Sequence, residues 1–167
     1  MPGAFDATKL EVVMSDADNT FARYGSVLIQ VRPGRMSFEA VDRMESSARL
    51  FRIRTAGPVA MIALVEETAE VVAAGALREK QREVIGRMLD EPRTYLTALI
   101  AGDSVRSVLL RSVIRLMVKP RPRLHIARDM KDATRWIAQA VACDAAELEA
   151  AVEHVRGLAK DARRSRA

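Results

Sequence analysis

Three carboxylates, Glu66, Glu67 and Glu70, follow the continuously apolar run from Pro58 to Val65. An α/β protein places acid and base chemistry at the C-terminal end of a buried strand, so this cluster is the first candidate for catalysis. Its simpler reading is a solvated helix start, because acidic side chains favour a first helical turn. Cys143 would need an activating base and an electropositive setting to act as a nucleophile, and an Ala-rich helix end suits a small packed hydrophobe better. His125 and His154 fall in different elements without ligand partners at useful spacing, so neither a metal centre nor a cofactor is expected. Gly102-Asp103-Ser104 lacks the glycine spacing and the lysine of a phosphate loop. Asp103 or Ser104 reads as an N-cap. A small-residue turn before a helix also leaves backbone amides free, and with Arg106 close by, Gly102, Asp103, Ser104 and Arg106 form a candidate weak anion site. Nothing here brings two polar groups together as catalysis requires, and the chain is expected not to be an enzyme.

The elements that would position these residues follow from periodicity. Residues 10 to 15 and 21 to 31 are apolar and β-branched, separated by the turn-forming Asp16-Ala17-Asp18-Asn19, which predicts an N-terminal antiparallel hairpin. Pro33-Gly34 ends the second segment, and Ser37 can cap a helix whose apolar residues Phe38, Val41, Met44, Ala48 and Phe51 recur every three or four positions. Pro58 to Val65 and Tyr95 to Ala101 read as central parallel strands buried on both faces. Between them Leu77 to Leu89 has helical spacing, closed by Asp90-Glu91-Pro92. A helix from Val105 to Val118, a short strand at Leu124 to Ala127 and a helix capped by Asp129 complete the core of an α/β domain, ordered ββαβαβαβα, with right-handed crossovers and a mostly parallel sheet. Asp144-Ala145-Ala146-Glu147 reads as a capping box opening a further helix, with Leu148, Ala151, Val152, Val155 and Leu158 in one stripe. The division expected is a frayed tail at 1–9, the domain at 10–141, and an appended helix with a basic tail at 142–167.

The helix from Val105 to Val118 stands apart, because Val105, Val108, Leu109, Leu110, Val113, Ile114, Leu116 and Met117 cover more than one face. A sheet covers only one side of a helix, so the surplus should meet the C-terminal helix, a second subunit or partner protein, or a lipid. Basic residues gather beside it, and the candidate partner surface comprises Arg106, Leu109, Leu110, Val113, Arg115, Lys119, Arg121 and Arg123.

Composition sets the outer bounds. The 167 residues suit one domain, 49% are hydrophobic and 29% charged, and the single cysteine forms no internal disulfide, which together predict a folded cytoplasmic protein. Charged residues interrupt every apolar run well short of the roughly 18 residues that a membrane helix needs. The net charge of +5 favours acidic partners, yet aromatic residues make up only 4% and no nucleic-acid-binding motif is present, so nucleic acid is not an expected partner.

The order of elements from about 10 to 141, the block Ile100-Ala101-Gly102-Asp103-Ser104-Val105-Arg106-Ser107, the basic turn Lys119-Pro120-Arg121-Pro122-Arg123 and the closing phrase Ala133-Thr134-Arg135-Trp136-Ile137 resemble STAS domains (sulphate transporter and anti-sigma-factor antagonist), of the SpoIIAA-like bacterial kind found in myxobacteria. The resemblance implies a protein-interaction module that binds kinases or other partners, with a Ser or Thr after the central strand open to phosphorylation. This chain departs from that pattern where the family carries an Asp-Ser-Ser-Gly-like turn. It has Glu66-Glu67-Thr68-Ala69-Glu70 instead, whose carboxylates would repel an added phosphate. The same resemblance shades into the CRAL-TRIO lipid-transfer domains, which implies a binding module for an apolar or anionic small ligand such as a lipid as the alternative.

Overall fold

A computed structural model of the chain describes residues 5–70, 75–117 and 120–165. The expected α/β fold is present: six strands form one sheet in the order β1 to β6, with antiparallel pairing from β1 to β3 and parallel pairing from β3 to β6. The strands are β1 Leu10–Ser15, β2 Thr20–Tyr24, β3 Val27–Arg32, β4 Val59–Val65, β5 Thr94–Ile100 and β6 Leu124–Ile126. The helices are α1 Phe38–Arg54, α2 Ala76–Asp90, α3 Val105–Met117, α4 Met130–Val141 and α5 Ala145–Arg164. The second segment of the expected hairpin divides into β2 and β3, because Gly25 adopts φ +55° and turns the chain through Gly25-Ser26. Asp16 accepts from the backbone N–H groups of Asp18 and Asn19, both at 2.8 Å, which closes the β1–β2 turn.

Alternation along the strands sorts the core into two faces. Leu28, Met61, Leu96 and Leu124 are register partners in one row, and with Phe21 they pack under Val41, Met44 and Phe51 of α1 and Val84, Met88 and Leu89 of α2. Val65 and Ile100 share that face at the strand ends, where Leu110 of α3 and Ala69 meet them. On the other face Ile29, Val31, Ile62, Leu64 and Leu99 pack against Ala133 and Ile137 of α4 and against α5.

Helix α5 is therefore no appendage. Its Leu148, Ala151, Val152, Val155 and Ala159 are each fully buried, and it lies over β1, β2 and β3, covering the antiparallel half of the sheet that α4 leaves open. The first described residues are also docked rather than frayed. The Phe5 ring lies 5.9 Å from that of Tyr24 and 5.1 Å from that of His154, and Lys9 Nζ pairs with Glu147 at 2.9 Å. Asp144 caps α5 by accepting from Glu147 N at 2.8 Å, but the Glu147 carboxylate accepts from Lys9 and the Tyr24 hydroxyl, so its side chain ties the helix to the sheet. Burial, with Glu147 beside it, pushes the Tyr24 phenol up to about 12.

Candidate functional site

The C-terminal ends of β3, β4 and β5 form the edge where an open α/β sheet ordinarily receives ligands. The three carboxylates expected there do not converge. Glu66 is buried and receives both Arg156 Nε and Arg156 Nη2 (2.8 Å) from α5. Glu70 pairs with Arg35 at 2.9 Å. Glu67 turns to the start of α3, where the hydroxyls of Ser104 and Ser107 hold its carboxyl below the usual range. Thr68 donates to Pro33 O at 2.8 Å and accepts from Arg163 at 2.8 Å. Each acidic side chain thus has a separate partner, and the three do not converge on one point.

The candidate weak anion site is filled from within. Ser104 is the N-cap of α3, with Ser107 N donating to its hydroxyl at 3.2 Å and Val108 N to its carbonyl at 3.0 Å. Gly102 has φ +85°, and a Cβ there would overlap the Glu67 carboxyl group. The position an incoming anion would take at this helix start is held by Glu67. Arg106 donates to Ala69 O at 2.9 Å, Asp103 is fully exposed, and Arg111 reaches back to Ile100 O and Gly102 O at 3.0 and 2.5 Å.

The candidate partner surface divides. On α3, Val105, Val108 and Leu109 are 77%, 51% and 61% exposed and occupy one face at spacing i, i+3, i+4, while Leu110 is buried against the sheet. α5 lies over the opposite face of the sheet and leaves this stripe uncovered. Arg115 is exposed at the far end of α3. Arg121 and Arg123, expected in the same surface, instead clasp the end of α2. Arg123 donates to Leu89 O and Glu91 O, both at 2.7 Å, and Arg121 donates to Asp90 at 2.7 Å and to Gly86 O at 3.4 Å. Lys119 and the side chain of Val113 lie outside the described residues.

The His125 cluster carried no recognisable sequence signal, because its partners come from two further elements. His125 Nε2 donates to Asp132 Oδ2 at 3.0 Å, its ring stacks on Trp136 at 5.2 Å, and Tyr95 meets Trp136 edge-on at 6.0 Å. The backbone N–H of Arg128, then His125, hold the Asp132 carboxyl below its usual range. Partial burial and the neighbouring Asp144 and Glu147 push the Cys143 thiol up, away from the reactive thiolate. Among the described residues no three His, Cys, Asp or Glu side chains are grouped to hold a metal ion, and no helix is long and apolar enough to cross a membrane.

Between α1, α2 and the sheet, Leu28, Phe51, Met61, Met88 and Thr94 line a cavity in which the volume open to a water centre is about 10 Å³. That is room for about one water molecule and not for an acyl chain. No protein-family model, curated protein sequence or solved structure matches the chain.

Proposed function

We propose that the chain is a non-catalytic, STAS-like interaction or regulatory module of the cytoplasm, which engages a protein partner or a second copy of itself through the outer face of α3. The observation that carries this reading is the stripe Val105, Val108 and Leu109. Three large apolar side chains on one helical face, bordered by Arg106 and Arg115, lose favourable burial for as long as they face water. A non-catalytic role is further supported by the commitment of Glu66, Glu67, Thr68 and Glu70 to internal partners. The basic contribution to the surface shifts to Arg106 and Arg115, since Arg121 and Arg123 serve α2.

Native mass spectrometry of the chain purified from its own cell tests the proposal. A homodimer or a defined protein complex that dissociates in Leu109→Glu is the expected result. A monomer that retains a small apolar ligand, unaffected by Leu109→Glu, would replace it with the ligand-binding reading.

A further inference from the structure

Arg32 closes β3 and shares a row with Val65 and Ile100, the last register partners of β4 and β5. Alternation from Leu28 places it on the face covered by α1, α2 and α3. The residue is 8% exposed, and among the described residues no carboxylate, carbonyl or hydroxyl accepts from its guanidinium. The carboxylates of the adjoining loop are engaged elsewhere, Glu66 with Arg156, Glu67 with Ser107 and Glu70 with Arg35. That loop crosses from the end of β4 to the residues just after Arg32, with Thr68 Oγ1 donating to Pro33 O and Glu70 N to Gly34 O at 3.2 Å.

A charge held at 8% exposure without a protein partner keeps only a small part of its hydration, which is costly. Neutralisation gives no escape, because burial lowers this guanidinium only to about 10 and it stays charged at neutral pH. Its five N–H donors match the oxygens of a phosphate or carboxylate group. We infer that Arg32 anchors a site for a small oxyanion, a phosphate or a carboxylate, admitted at the C-terminal ends of β3 and β4, where pairing with Arg156 and Arg35 offsets the repulsion that Glu66 and Glu70 would otherwise exert. The narrow exposure selects a small group over a bulky one. The site is separate from the α3 stripe, and either can fail without the other.

Thermal unfolding in phosphate, in acetate and in chloride at matched ionic strength tests it, using the wild-type chain, Arg32→Met, and Arg128→Met as the control for general salt effects at an exposed arginine. Phosphate or acetate should raise the melting temperature of the wild type and of Arg128→Met by about 3 °C or more over chloride, and leave Arg32→Met unmoved. A response to phosphate alone identifies a phosphate site, and one to both identifies general oxyanion recognition. Equal shifts in all three proteins, or none in the wild type, overturn the assignment. Should Arg32→Met fail to fold, calorimetric titration of the wild type and Arg32→Lys with phosphate decides. Saturable binding weakened about tenfold in Arg32→Lys supports the site, and equal or absent binding overturns it.

Discussion

The carboxyl group of Glu67 fills the space where Gly102 lacks a Cβ, so that the strand-end loop after β4 and the helix start after β5 touch. Gly102 is constrained twice, by φ +85° and by this contact, whereas Gly57 has φ +82° and open space around it. Gly57→Ala should cost about 1–2 kcal/mol, the strain of a left-handed alanine alone. Gly102→Ala should cost more, and adding Glu67→Ala should recover the excess. A double-mutant cycle in urea measures the coupling, and equal costs at Gly57 and Gly102 would dissolve the relationship.

Glu66 and Arg156, 90 residues apart, form a two-bond pair with side chains 10% and 26% exposed. Glu66→Gln and Arg156→Met should each destabilise the chain by about 1–3 kcal/mol, with the double variant costing clearly less than the sum. Additive losses would mean that the pair is not formed in solution.

Leu148 of α5 is fully buried in the same cluster as Leu64 of β4. Leu148→Ala and Leu64→Ala should therefore cost similar amounts, about 2–5 kcal/mol each. A loss below about 1 kcal/mol at Leu148 would restore α5 to the status of an appendage.

Acid and base should unfold the protein at identifiable groups. The folded carboxyls of Asp132 and Glu147 lie below their usual range, the first through Arg128 N and His125, the second through Tyr24 and Lys9. Their contribution is complete above the unfolded values of 3.8 and 4.5 and is lost as pH falls through the folded ones. Tyr24 has the opposite sign, because its contribution is complete below 10.0 and lost as pH rises through about 12. Phenolate absorbance should show Tyr24 titrating well after the tyrosine of the unfolded chain, and Glu147→Gln should shrink that delay.

If Arg123 serves α2, Arg123→Ala should loosen the last turn of that helix and cost about 1–2 kcal/mol, seen as faster amide exchange at its C-terminal end. A partner surface at Arg123 would show the reverse, with unchanged stability and weakened association.

Much of the architecture was legible because it is local. Ser37, Asp129 and Asp144 all accept from the backbone three residues on, and the apolar run before Glu66 is the central strand its continuity implied. What escaped depends on contacts between distant segments. The stripe of α5 marks an apolar face without naming the surface it meets. Glu147 has a capping-box position, but Tyr24, 123 residues away, claims its side chain. The basic turn around Arg121 and Arg123 reads as free charge until the carbonyls at the end of α2 are set beside it. The break at Gly25 lies inside a β-branched run whose alternation hides a two-residue turn.

The seat of α5 also dictates an order of events at the ribosome. β3 is complete about 110 residues before α5 begins, which at about 5–20 residues per second is roughly 6 to 20 s of synthesis. Throughout that interval Ala22, Ile29 and Val31 lack the α5 side chains that cover them in the fold. Until α5 is made, the antiparallel half of the sheet presents an apolar face without the helix that closes it.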